Sequence, residues 1–158
     1  MYTPFQNLSD QSRIWIYQAD RQLTDHEAKE ILQKAKPLLE TWSPHGVTLI
    51  TSAEIRYNYF LILAVEATAF QLSCCTIDSA IHLLQTIEHD MKVNFLDRTK
   101  IVLQIENQFL LTPVKEIKAK LSQRLLSPNT KFFNNVITKK KDLETNWLIP
   151  IGLSCFVK

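Results

Sequence analysis

Two adjacent thiols lie where a helix is predicted to begin. Residues 73–82 read Ser-Cys-Cys-Thr-Ile-Asp-Ser-Ala-Ile-His, with Cys74 and Cys75 just before the first turn. A helix N-terminus carries partial positive charge and stabilises a thiolate, the nucleophilic form of cysteine. With a base in reach, such a thiolate could attack an electrophilic substrate. The pattern therefore indicates thiol-dependent chemistry, although Asp78 in the first turn opposes thiolate formation.

The elements that must position these thiols follow from hydrophobic periodicity. Alternating or continuous apolar runs predict strands, and apolar residues three and four apart predict helices. The predicted strands cover residues 14–17, 47–56, 59–66 and 101–105, and the predicted helices begin at residues 24 and 76. The order strand, helix, strand, strand, helix, strand is typical of an α+β, ferredoxin-like βαββαβ core. We therefore expect one domain over 1–158, with a core over about 12–106 and a C-terminal helical extension over about 107–158 packed on the sheet.

One predicted strand is apolar on both of its faces. Residues 60–65 read Phe-Leu-Ile-Leu-Ala-Val, which is typical of a central strand covered above and below. We expect the second cover to come from the C-terminal extension or from a dimer partner.

The predicted topology places candidate partners beside the thiols. The first two strands run parallel, so the loop over 43–46 lies at the same sheet end as Cys75. His45 in that loop and Arg13 at the start of the first strand are the residues in reach. Cys75, His45 and Arg13 are therefore the candidate catalytic residues. The alternative is that the cysteine is a small, partly buried side chain that fills the loop.

Two further signals concern helix ends. Thr24 and Glu27 have the spacing of a capping box, while Pro37 lies inside the following apolar pattern and predicts a kink or a break. Thr112 followed by Pro113 predicts the start of a third helix that ends before Pro128.

The far end of the predicted sheet carries other polar residues. A helix of about 15 residues is roughly 22 Å long, so the loop over 92–100 lies opposite the thiols, near Asp20 and Arg21. Asp97 and Arg98 in that loop are expected to hold it against a neighbouring loop.

The second helix also has a polar face. Asp78 and His82 on this face could share a metal ion, but we expect an exposed surface and no metal. That face consists of Asp78, His82, Gln85 and His89.

Three stretches together carry a family resemblance. They are Ser-Arg-Ile-Trp-Ile-Tyr-Gln-Ala-Asp-Arg over 12–21, Ser-Cys-Cys-Thr-Ile-Asp-Ser over 73–79, and Asn-Phe-Leu-Asp-Arg over 94–98. The chain resembles a family of small Bacteroidota proteins often labelled "ABC transporter ATPase". In that family's pattern a glycine stands at the position of Cys74, which implies that Cys75 is the thiol of interest.

The ATPase label is not supported by the residues. A P-loop needs a glycine-rich turn followed by Lys and Ser or Thr. This chain has two glycines, Gly46 and Gly152, and neither precedes a lysine. We therefore expect no P-loop ATPase activity and no cofactor.

Charge and cysteine content limit the partners. The net charge is +2, but residues 112–141 contain eight basic residues and one acid, a balance of +7 that leaves −5 elsewhere. The strand order is that of an RNA-recognition motif, with Trp15 and Tyr17 sharing one face. The glycines of that motif are missing, so nucleic-acid binding is disfavoured.

No apolar run reaches the roughly 18 residues of a membrane span, and three cysteines make no disulfide framework. We expect a cytoplasmic protein with no membrane partner.

These observations lead to one main interpretation. We expect an uncharacterised small binding or regulatory module, with a homodimer as a candidate assembly and its small-molecule ligand unidentified. The first alternative is a thiol-dependent enzyme that uses Cys75 with His45. The second is an RNA-binding module.

Overall fold

The helices and strands follow one another in a mixed order. The computed structural model describes residues 1–42, 49–66 and 74–157, and over 74–77 it describes the backbone alone. In chain order the elements are β1 (Arg13–Gln18), α1 (Asp25–Glu40), β2 (Ile50–Arg56), β3 (Phe60–Glu66), α2 (Cys74–Met91), β4 (Lys100–Ile105), β5 (Gln108–Pro113), α3 (Ile117–Ser122), β6 (Lys131–Phe133), α4 (Asp142–Thr145) and β7 (Leu148–Pro150). The predicted α+β class is confirmed. Among the described residues, no helix is long and apolar enough to cross a membrane.

The chain divides into two units. The N-terminal unit comprises Met1–Leu96 and Thr138–Lys141, and the C-terminal unit comprises Asp97–Ile137 and Asp142–Lys158. The division falls after Leu96 rather than after residue 106, where the extension was expected to begin. The single domain over 1–158 stays a prediction.

The N-terminal unit contains a three-stranded antiparallel sheet in the order β1-β3-β2. β3 is its middle strand, pairing Arg13 with Val65 on one side and Thr51 with Val65 on the other. The whole run over 60–65 is buried, which confirms a central strand hidden on both faces. β1 and β2 both run opposite to β3, so they are parallel to each other, as predicted.

Both outer edges of this sheet are covered by other backbone. At β2, the Thr51 N–H donates to Met1 O and Thr51 O accepts from the Thr3 N–H, each at 2.9 Å. At β1, the Ile14 N–H donates to Thr138 O at 2.9 Å, and Lys139 forms a bridge with Arg13. These contacts leave the sheet edges less open to pairing with another chain.

The ferredoxin-like core is not confirmed. Such a core needs β4 beside β1, but β4 pairs with β5 and β6 in a second antiparallel sheet of order β5-β4-β6-β7. The local reason is the tight turn after β4, in which Glu106 and Asn107 both have positive φ (49° and 68°) and favour a hairpin. The segment after residue 107, expected to be a helical extension, instead contributes three strands together with short helices.

The two long helices of the N-terminal unit, α1 and α2, share one hydrophobic core with one face of the three-stranded sheet. Alternate β3 residues Leu61, Leu63 and Val65 belong to this core. The helix residues buried with them are Ile31, Ala35 and Leu39 of α1 and Ala80, Leu83, Leu84 and Ile87 of α2. The alternation of β3 and the helical spacing of α1 and α2 together explain this arrangement.

Helix ends agree with the sequence in part. The capping box is confirmed, since the Glu27 N–H donates to Thr24 Oγ1 at 3.1 Å and the Thr24 N–H donates to Glu27 Oε1 at 3.0 Å. α1 continues through Pro37 to Glu40, so a break at Pro37 is wrong. A helix beginning at Thr112 is also wrong, because Thr112 is buried in β5 opposite Ile101 and α3 begins only at Ile117.

The C-terminal unit has its own core on one face of its sheet. Ile101 and Leu103 of β4 and Phe132 of β6 are buried there with Ile117 of α3. Phe156 closes this core with its ring 5.9 Å from that of Phe132 in an edge-to-face arrangement.

Candidate functional site

A polar cleft lies at the C-terminal end of α2, within the N-terminal unit. Its volume is about 460 Å³. The lining residues are Asp20, Gln85, Glu88, His89, Lys92 and Asn94. We call this feature the α2 cleft.

The end of α2 forms one wall of the cleft. Gln85, Glu88 and His89 lie on the exposed side of the helix, and Leu84 and Ile87 on its other side are buried in the core. Lys92 follows the helix with a φ of 59°, and its N–H donates to Glu88 O at 2.9 Å. This left-handed residue ends the helix and turns the chain toward Asn94.

The loop after β1 forms the opposite wall. The Asp20 N–H donates to Asn94 O at 3.0 Å, and the Asn94 N–H donates to Asp20 Oδ1 at 3.1 Å. This reciprocal pair holds the two loops together and keeps the Asp20 carboxylate at the cleft. Sequence reasoning placed the loop over 92–100 next to Asp20 and Arg21, and these contacts confirm that neighbourhood.

Arg21 ties three elements together beside the cleft. Its guanidinium donates to Glu27 Oε1 at 2.9 Å and to Met91 O at 3.3 Å. It therefore links the loop after β1, the first turn of α1 and the last turn of α2. The Arg21 hydrogen bond, together with the backbone N–H of Thr24, lowers the pKa of Glu27 to about 2, and the same ion pair raises the pKa of Arg21.

The charges at the cleft favour a cationic group. Asp20 and Glu88 supply two carboxylates, and Lys92 supplies one ammonium group. The last carbonyl groups of α2 add the partial negative charge of a helix C-terminus. Among the residues with described side chains, no group of three or more His, Cys, Asp or Glu side chains is arranged to hold a metal ion.

The predicted catalytic set is placed only in part. His45 lies outside the described residues, and the side chain of Cys75 is not described, although α2 does begin at Cys74. Arg13 begins β1, with its guanidinium carbon 5.1 Å from the centre of the Trp15 ring. The thiol-dependent site formed by Cys75, His45 and Arg13 therefore stays a prediction.

The other sequence candidates have ordinary structural surroundings. The Asp97 carboxylate accepts from the Thr99 hydroxyl at 2.6 Å and from the Thr99 N–H at 2.8 Å, which together lower the pKa of Asp97. Asp78 and His82 are exposed on α2. Trp15 and Tyr17 pack against the core that contains α1 and α2, so their rings are not an open base-stacking surface.

Sequence reasoning missed the cleft itself, although it singled out some of its members. Gln85 and His89 were assigned to an exposed helix face, and Asp20 to a loop contact. Glu88 and Lys92 belong to no motif, and Asn94 was noted only as the first residue of the Asn-Phe-Leu-Asp-Arg stretch over 94–98. The sequence feature that could have indicated the cleft is the polar face of α2, which is directed toward the loop after β1. This face can be recognised as part of a cleft only once the left-handed turn at Lys92 is known.

Comparison with known proteins gives no further guide to this site. No family model matches the chain, and neither a curated protein nor a solved structure matches it.

Proposed function

We propose that the chain is a small binding or regulatory module that takes up a small polar ligand with a cationic nitrogen in the α2 cleft. The observation that carries this proposal is the pair of carboxylates, Asp20 and Glu88, that lines the cleft beside the C-terminal end of a helix. Carboxylates and helix carbonyl groups both favour a bound cation. Lys92 at the rim is available for an anionic group of the same ligand.

The shape of the cleft supports a small molecule. A volume of about 460 Å³ falls in the range of roughly 300–1,000 Å³ that small-molecule sites occupy. The cleft walls are fixed by the Asp20–Asn94 hydrogen bonds and by Arg21, so its polar groups are held before a ligand arrives. Such preorganisation reduces the entropy lost on binding.

A titration with three probes tests this proposal. The probes are putrescine, a dication; L-arginine, which carries a guanidinium; and citrate, an anion. Putrescine and L-arginine are expected to shift the backbone amide NMR signals of Asp20, Glu88 and Lys92, whereas citrate is expected to leave Asp20 and Glu88 unchanged. The proposal fails if citrate shifts these signals and the cations do not, or if the cation shifts lie outside the cleft.

Charge variants make the test specific. Glu88→Gln keeps the shape of the side chain and removes its charge, so it is expected to weaken putrescine binding by up to about fivefold, the effect of one exposed ion pair. Glu40→Gln is the matched control, because Glu40 is an exposed glutamate at the end of α1 and does not line the cleft. Equal effects of the two substitutions would contradict the assignment.

Three further properties remain proposals of the same kind. We infer a cytoplasmic setting from the cysteine usage and the absence of a disulfide pattern, and Cys155 is a free, exposed thiol. The order β1-β3-β2 of the first sheet supports a proposed relation to ferredoxin-like cores. The proposed membership of the Bacteroidota family rests on the three sequence stretches alone.

A further inference from the structure

The outer strand of the second sheet differs from the covered edges of the first. β5 pairs with β4 on one side, and no strand lies on its other side among the described residues. Natural proteins protect such edges with lysines, bulges or covering segments. β5 has no charged residue, and it pairs one-to-one with β4 without a bulge. Its only protective residue is Pro113 at the end.

A large apolar side chain is exposed on this edge. Leu110 is 46% exposed, although its partner across the ladder, Leu103, is buried in the core of the C-terminal unit. A leucine at an uncharged strand edge favours pairing with another strand that can cover it. We propose that β5 pairs antiparallel with β5 of a second copy of this chain, so that the two sheets join across a two-fold axis.

The ladder alternation determines which backbone groups are available. Ile105 and Gln108 flank the two-residue turn and form a hydrogen-bonded pair. Leu110 is therefore also hydrogen-bonded to β4, and the N–H and C=O groups of Leu111 point away from β4. A second strand can use those outward groups of Leu111.

Pro113 then selects one register. If the two-fold axis passed beside Leu111, the new ladder would need an N–H at position 113, which proline lacks. If the axis passes beside Leu110, the ladder uses N–H groups at positions 109 and 111, and neither is proline. In this register Leu110 faces Leu110 of the second copy as a non-hydrogen-bonded pair, about 4.5 Å apart at Cα. Each exposed leucine then covers the other.

The charges next to β5 are complementary in the same register. Glu106 lies in the turn before β5 and Lys115 lies just after it, and both are exposed. Antiparallel pairing about Leu110 brings the Glu106 end of one strand to the Lys115 end of the other. The two-fold axis generates this match twice. A parallel arrangement would instead bring like charges together.

Molar mass against concentration tests the proposal. Sedimentation equilibrium is expected to give 18.3 kDa at low concentration and to rise toward twice that mass, because an edge contact of this length forms an interface smaller than about 1,200 Å² and binds weakly. Leu110→Lys places two like charges opposite each other and is expected to stay monomeric. Leu125→Lys is the matched control, because Leu125 is 66% exposed in the same unit but lies outside β5, and this variant is expected to associate like the parent.

Charge exchange tests the register. Glu106→Lys is expected to weaken association, and adding Lys115→Glu to the same chain is expected to restore it. A parent chain that stays at 18.3 kDa up to roughly 1 mM, the weak end of specific association, would overturn the proposal. So would a Leu110→Lys variant that associates like the parent, or a double variant that is weaker than Glu106→Lys. Circular dichroism on each variant distinguishes lost pairing from lost folding.

Discussion

Replacing Glu27 by glutamine should remove a pH-dependent part of the stability of the N-terminal unit. Glutamine keeps the size of the side chain and an oxygen that accepts the Thr24 N–H, so the capping geometry is retained. What is lost is the negative charge that faces Arg21, with Arg21 Nη1 2.9 Å from Glu27 Oε1. The effect therefore reports on the ion pair that stands beside the α2 cleft.

The magnitude follows from the pKa of Glu27. A fall from 4.5 to about 2 would correspond to roughly 3 kcal/mol if the whole shift were converted at 1.36 kcal/mol per unit. The Arg21 side chain is 41% exposed, so solvent screens the pair, and exposed pairs contribute at most about 1 kcal/mol. We therefore expect Glu27→Gln to lower the free energy of unfolding by about 1 kcal/mol at neutral pH.

The pH dependence has a definite sign. Glu27 has a lower pKa in the folded chain than in the unfolded chain, so its contribution is fully present above pH 4.5. It is lost as the pH falls toward about 2, where the folded-state carboxylate also takes up its proton. The difference between parent and Glu27→Gln should therefore shrink over this interval.

Urea denaturation followed by circular dichroism at neutral pH and at several acidic pH values measures this difference. Glu30→Gln is the control, because Glu30 lies in the same helix and its nearest ion-pair partner is His26 at 4.0 Å. A difference between parent and Glu27→Gln that stays constant with pH would refute the reasoning. An equal loss in Glu30→Gln would refute it as well.

Three single substitutions test the roles of other individual residues. Lys92→Gly should raise the free energy of unfolding by about 0.5–1 kcal/mol, measured by urea denaturation, because glycine adopts the φ of 59° at the end of α2 without strain. The same variant should bind putrescine more tightly in the NMR titration, because a positive charge leaves the cleft; weaker binding would contradict the proposed electrostatics. In thermal unfolding, Ser52→Ala should be neutral or stabilising by up to about 1 kcal/mol, because the buried Ser52 hydroxyl has no hydrogen-bond partner among the described residues. Thr51→Val should be destabilising in the same assay, because Thr51 Oγ1 donates to Leu39 O at 2.7 Å and valine cannot make this hydrogen bond.

Local sequence signals predicted much of the fold. The run over 60–65 indicated a strand buried on both faces, and Thr24 with Glu27 indicated the start of α1; the structure confirms both. These predictions succeed because burial on both faces and a capping box each depend on residues close in sequence.

Sequence signals did not predict how β4 pairs. Its apolar residues suit any central position, so periodicity alone could not distinguish a place beside β1 from a place beside β5. The deciding features were the hairpin at Glu106 and Asn107 and the later return of β6, which pairs Phe132 with Leu103. The pairing of β6 with β4 joins residues nearly thirty positions apart, and local sequence patterns carry no information about such a pairing.

The α2 cleft could be predicted only as separate pieces. Asp20 and Asn94 meet through hydrogen bonds between loops that are distant in sequence. Glu88 and Lys92 resemble any exposed charged residues near a helix end. Their grouping depends on the left-handed turn at Lys92, an unusual conformation for lysine that the sequence does not indicate.

The most direct test of the cleft as a cation site is the putrescine titration of the parent chain beside Glu88→Gln and Lys92→Gly, followed through the amide signals of Asp20 and Asn94. Opposite changes are expected, with weaker binding after the loss of the carboxylate and tighter binding after the loss of the ammonium group. Titration curves that coincide for all three proteins, or signals at Asp20 and Asn94 that do not move, would show that the cleft does not bind cations.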